Sequence, residues 1–239
     1  ILHTRYPREI TVDAYVTDPE NGDYEDFAPV REYIDSVLDD YSAARENVMD
    51  YRVASLSGQL FGSELELDPN IMKVSSANVY GDVRIVNFVP LEDYNRMSGN
   101  NHTLAPDEVL IYAFRSAYNE EELTLRGTGL SFRVKEHLQD FPIDGDTVSN
   151  AMSPLCVVVP DFYQTLAPLN DTRASNGNDL LEIHWRYGFD TNVDEETQKV
   201  IYEALGHDGN DEGKAFMNNL SYIHYDSRAY ERNGFTGTF

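Results

Sequence analysis

The two ends of this 239-residue chain repeat one pattern, a strand period, a helix period and a strand period, and that pairing limits the fold most. Ile10, Val12, Ala14 and Val16 alternate with Thr11, Asp13 and Tyr15, the two-residue period of a half-buried strand. A polar loop follows. Val30, Ile34, Val37, Leu38 and Tyr41 then form one stripe at helical spacing, which predicts a helix over Phe27–Asn47 with Pro29 in its first turn. A strand over Tyr51–Leu60 completes the first unit. Near the other end, Leu181, Ile183, Trp185, Tyr187 and Phe189 alternate with Glu182, His184 and Arg186, predicting a strand over Leu180–Phe189. Asn192 with Glu195 three residues on has the form of a capping box. The helix it opens turns Val193, Val200, Ile201, Ala204 and Leu205 inward and stops at Gly206. Leu220–Tyr225 then returns as a strand. Two such units can share one sheet, with right-handed crossovers where paired strands are parallel.

The middle of the chain has a different texture. Short strands are predicted over Val83–Val89, Glu108–Phe114, Leu123–Arg126, Leu130–Lys135 and Leu155–Val159, with one short helix near Leu91–Met97. The pair Gly127 and Gly129 around Thr128 reads as a hairpin turn and not as a phosphate cradle. The fold class is therefore α+β: a lobe of two strand–helix–strand units over 1–70 plus 161–239, with a β-rich lobe over 71–160 inserted in it.

Charge narrows the function. Eighteen Lys and Arg stand against forty-two Asp and Glu, a formal net charge of -24. This balance argues strongly against nucleic acid as a partner, because phosphate binding needs clustered cations to displace counterions. An acidic surface steers cationic ligands toward it, and it also serves solubility alone. Tyrosines set among acids, as in Asp23-Tyr24-Glu25-Asp26 and over 222–230, suit cationic or amphipathic partners; they serve equally as a wet cover for the core. The lone cysteine, Cys156, lies in the apolar run Leu155–Val159 and reads as a small core hydrophobe. No apolar run reaches the roughly 20 residues of a membrane span. The chain starts at Ile1 rather than Met and shows no signal peptide, so it reads as an excised or processed product whose targeting is not legible.

Chemistry is harder to place. A calcium loop centred on Gly213 has Asp208, Asn210 and Glu212 in early positions but Asn219 where glutamate belongs. One centred on Gly145 has Asp140 and Asp144, with Pro142 and Ala151 breaking the pattern. Both read as solvated turns. Among His3, His102, His137, His184, His207 and His224, no pair has the helical spacing of a zinc site. His184 and His224 fall on strands that neighbour each other if the sheet is so ordered, which leaves a metal pair open beside the commoner hydrogen-bonded histidine. No G-x-S-x-G elbow, Walker sequence or G-x-G-x-x-G occurs. Glu121-Glu122 and Asp39-Asp40 are two carboxylate pairs among many. N-x-S/T sequons stand at Asn101, Asn170 and Asn219. No catalytic residue, cofactor site or metal site is assigned.

Three segments carry a family likeness: the strand Val83–Val89, the helix start Pro90-Leu91-Glu92-Asp93-Tyr94-Asn95, and Leu104–Ile111 with its polar turn, acidic residue and apolar strand. Their order resembles the extracytoplasmic domain of FtsX-like permeases, the MacB/BceB type of ABC transporter. Tyr6–Ile10 resembles the segment after a transmembrane helix in such permeases, and Asn233–Phe239 the approach to the next. Val157–Tyr163 is similar to the strand-then-helix return that closes the inserted subdomain. The resemblance implies a porter-like lobe on the extracellular face of a cell membrane, in a Gram-positive bacterium. It also implies a separate cytoplasmic ATPase, a sensor histidine kinase as a further partner, and cationic antimicrobial peptides among the ligands. Force transmission across the membrane is the other role it implies. A free surface adhesin or solute-binding module, and an acidic secreted hydrolase, are the rival readings.

Overall fold

The computed structural model describes residues 10–16, 27–67, 82–113, 118–142, 155–205 and 220–225. They are mixed α/β, with ten strands and four helices. Chain contacts divide the protein into one unit of Ile1–Val16, Gly22–Asp50 and His184–Phe239, and a second of Thr17–Asn21 and Tyr51–Ile183. The divisions at 50/51 and 183/184 lie outside both expected lobe boundaries, 70/71 and 160/161.

In the first unit, β1 (Ile10–Val16), α1 (Ala28–Asp40) and the start of β2 (Arg45–Phe61) form one strand–helix–strand run. The later strand β9 (Ile183–Thr191), α4 (Glu195–Ala204) and β10 (Leu220–Tyr225) form the other. Sheet order is β10-β1-β9-β2, so each run leaves a gap that a strand of the other fills. β10 and β1 are antiparallel, with Ile10 opposite Tyr225 and Val12 opposite Ile223. The two runs are interleaved.

Alternation along β9 places Trp185, Tyr187 and Phe189 on one buried face. Trp185, fully buried, stacks on Phe27 and Tyr187 at 5.6 and 5.0 Å and donates its Nε1–H to Asp50 Oδ1 at 2.7 Å. The Arg31 guanidinium lies 4.8 Å from its ring centre, a cation–π contact. Phe27, Val30, Ile34, Val37 and Leu38 form the buried stripe of α1. That helix ends earlier than the predicted Asn47: Tyr41 is its C-cap and 38 % exposed, Ser42 takes a left-handed φ of 51°, and β2 begins at Arg45. The first residues of β2 are polar and exposed, which hides the strand period there.

At the start of α4 the cap is Asp194, which accepts from the Thr197 N–H at 2.8 Å. Asn192, expected to cap, instead accepts from the Ala44 N–H at 2.8 Å. Val200, expected to face inward, is 39 % exposed, while Gln198 is fully buried. Amide hydrogen bonding, as from Gln198 Nε2 to Val193 O at 3.2 Å, makes that polar burial tolerable.

The second unit is built on seven strands: the rest of β2, β3 (Glu64–Leu67), β4 (Asp82–Pro90), β5 (Glu108–Ala113), β6 (Glu122–Leu125), β7 (Leu130–His137) and β8 (Leu155–Val159). Their order is β2-β3-β6-β7-β5-β8-β4, and β4 pairs back onto β2, with Ala54 opposite Phe88 and Leu60 opposite Asp82. Every strand has a partner on each side, the pairing topology of a closed barrel. Antiparallel and parallel pairs are mixed around the circuit, β4–β8, β5–β7 and β3–β6 being parallel. Gly58 sits where β2 is flanked by β3 and β4. A Cβ there would lie 2.8 Å from Leu65 Cδ1 and 2.9 Å from Val86 Cγ2, so the closure needs a glycine. β3, not anticipated from the sequence, follows a two-residue Gly62-Ser63 loop with Gly62 at φ 62°. Gly127 and Gly129, with φ of 79° and 75°, turn β6 into β7 as a hairpin.

Candidate functional site

β4 and β8 run parallel in register, Val86 opposite Leu155 and Pro90 opposite Val159. Each then meets a proline and turns into a helix: Pro90 into α2 (Leu91–Ser98), and Pro160 with Asp161 into α3 (Phe162–Ser175). Proline ends the strand by removing the amide donor. Pro90, extended at φ -62° and ψ 139°, is the N-cap of α2, and the Asp161 carboxylate caps α3 by accepting from the Gln164 N–H at 3.0 Å. Parallel neighbours thus bring two helix starts side by side.

Arg52 of β2 reaches them. Its backbone N–H and its Nε–H both donate to Asp93 Oδ2, at 2.8 and 3.0 Å, and its Nη2 to Asp93 Oδ1 at 3.3 Å. Nη2 also donates to Glu92, and Nη1 to the Tyr163 hydroxyl at 3.1 Å. Arg96 Nη2 completes the shell of Asp93 at 3.0 Å. Burial opposes the charge on Arg52, but the Asp93 carboxylate beside it outweighs that and holds its pKa above the ordinary value. The cluster ties β2, α2 and α3 together through one guanidinium. A hollow of about 340 Å³ opens over it, lined by Arg52, Glu92, Asn95, Asp161 and Tyr163 with Pro90 and Pro160.

Tyr163 also lines a second, larger groove of about 490 Å³ along α3. Leu166, Ala167, Ala174 and Leu180 give this groove its apolar wall, and Gln164, Asn170 and Asp171 its polar one. Leu180 is 41 % exposed. Its two neighbours are pinned: Arg173 Nε donates to Asp179 O at 2.7 Å, and Leu181 N–H to the buried Asn170 Oδ1 at 2.8 Å. These two bonds hold the backbone on either side of Leu180.

The residues singled out from sequence do not converge on this site. His184 is on β9 and His224 on β10, and β1 lies between those strands, so the neighbour pairing fails. His102 is set by Asn95, which donates to its carbonyl at 2.9 Å and accepts from its N–H at 3.0 Å, and its Nδ1 lies 3.7 Å from Glu136. His137 Nε2 meets the Glu120 carbonyl at 3.1 Å. Asp140 accepts from the Phe141 N–H at 3.1 Å. His3, His207, Asp144, the loop around Gly213 and Asn219 lie outside the described residues. Among the described residues no group of three or more His, Cys, Asp or Glu is placed to hold a metal.

Cys156 is buried beside Asn87, and burial pushes its thiol up to about 12, which keeps it protonated and unreactive. Asn170 is buried, with its carbonyl oxygen accepting from the Leu181 N–H, so its sequon is not presented at the surface. Sequence reading missed Arg52–Asp93. The signal was there: a lone arginine between Tyr51 and Val53, and an acidic pair directly after Pro90 and Leu91.

No family model matches this chain, and no curated protein matches it. Among the described residues no helix is long and apolar enough to cross a membrane.

Proposed function

We infer that this chain is the non-catalytic extracytoplasmic domain of an FtsX-like ABC permease, working in ligand binding or in mechanical coupling across a cell membrane. One observation carries the reading: two interleaved strand–helix–strand runs, with a long segment, Tyr51–Ile183, of seven strands and two helices between them in sequence. A porter-like lobe with an inserted lobe is what the likeness in Val83–Tyr112 implies, and this order of elements supports it. The prolines that turn β4 and β8 into helices coincide with two of the segments bearing the likeness. In this reading ATP is hydrolysed by a separate cytoplasmic subunit, and a sensor kinase is a further partner. The net charge of -24 favours cationic ligands at the exposed face.

The deciding experiment is to sequence the gene on both sides of this segment. Apolar helices of about 20 residues immediately outside both ends, with an ATPase gene adjacent, are expected. A complete reading frame without them would sink the reading.

A further inference from the structure

We propose that the groove along α3 is a docking site for the apolar face of a basic amphipathic helix supplied by another polypeptide. The inference goes beyond the permease reading and does not depend on it. Its floor is apolar through Leu166, Ala167, Ala174 and Leu180. Ala167 and Ala174 are both exposed and lie two turns apart on one face of α3, so a second helix axis can come close there. Leu180 offers an exposed apolar side chain in this lining, and the two hydrogen bonds flanking it hold its backbone. A preformed rim lowers the ordering cost of binding.

Charge chooses the occupant. Over 160–182 four acids, Asp161, Asp171, Asp179 and Glu182, stand against the single base Arg173. All four acids are exposed, and Asp171 lines the groove itself. In the adjoining hollow the Arg52 guanidinium is spent on Asp93 and Glu92, while Glu92 remains 68 % exposed. An apolar groove with Asp171 in its lining and further exposed acids in the same segment matches a helix that carries leucines on one face and lysines or arginines along its edges.

The test uses the whole chain and a peptide of about 18 residues, five helical turns, with leucine and lysine at helical spacing. Two control peptides are the same composition scrambled and the same pattern with glutamate for lysine. Isothermal titration should give at least about tenfold weaker binding for both controls, and for Ala167→Arg, Asp171→Lys and Leu180→Ser with the first peptide. Circular dichroism reports whether each variant is folded. A second readout needs no variant: titration should move the NMR signals of Ala167 and Leu180 ahead of those of Val48 and Val200, exposed apolar residues elsewhere. Equal binding of the scrambled peptide, or first shifts at Val48 and Val200, would reduce the interaction to general charge attraction and overturn the site. A concentration-dependent dimer in sedimentation that Ala167→Arg abolishes would overturn it too, by giving the groove to a second copy.

Discussion

Arg52 Nε lies 3.0 Å from Asp93 Oδ2 with the two side chains only 3 % and 0 % exposed, so the pair that joins β2 to α2 is shut away from water. Removing Arg52 would leave the buried Asp93 carboxylate with the half-exposed Arg96 as its remaining cation. Arg52→Met is expected to destabilise the protein by about 3–5 kcal/mol in urea unfolding. The double variant Arg52→Met/Asp93→Leu should recover a good part of that. Equal loss in single and double variants would show that Arg52 acts through packing and not through its charge.

Gly58→Ala tests the closure of the seven-stranded circuit. The added methyl meets Leu65 and Val86 at 2.8 and 2.9 Å, and both of those side chains are fully buried, so neither can swing aside. A cost of about 1–3 kcal/mol is expected from such overpacking, seen as a lowered Tm. Gly129→Ala makes the comparison informative. That glycine meets nothing within 4 Å, so its loss should come from its φ of 75° alone.

Asn170→Ala should release the loop that carries Leu180. The Leu181 N–H loses its acceptor while the residue stays buried, which costs about 1–3 kcal/mol. Amide exchange at Leu181 should quicken with the substitution. Unchanged exchange there would mean that other contacts hold the loop.

Cys156 gives a pH signature. Its thiol rises from 9.0 to about 12 because burial disfavours the thiolate. The folded chain therefore keeps a proton that the unfolded chain releases. Its contribution is fully present below pH 9 and is lost progressively as pH climbs toward 12. Stability measured across that window should fall less steeply in Cys156→Ala than in the parent, after allowing for the smaller side chain. At pH 8 a thiol reagent should label the parent only as fast as it unfolds.

Much of the fold was legible because period and burial agree. β1, β8 and β10 fall where the sequence placed them, since each is an uninterrupted run with one period or one apolar block. The failures have physical causes. The predicted helix overran Asp40 because Tyr41 continues the apolar spacing by chance, while Ser42 reverses the backbone. The opening of β2 was missed because its side chains face water, and β3 because four residues are too few to show a period. The Asn192 cap was a plausible pattern two residues early, and Asp194 offered the same chemistry. Of the candidate site, only its pieces could be read. Arg52 and Asp93 are 41 positions apart in sequence, and the register of β2 against β4 is what brings them together.

The circuit from β2 round to β4 also governs how anything can recognise Tyr51–Ile183. A sheet with a bare margin can recruit a foreign strand through main-chain amides, a form of recognition almost blind to side chains. Here each of the seven strands is paired on both sides over at least part of its length among the described residues, so little continuous margin is left for such pairing. Recognition of the described strands therefore falls mainly to their side chains. Discrimination is thus built into the way the strands join, and a change of partner would be written in surface substitutions while the framework stayed as it is.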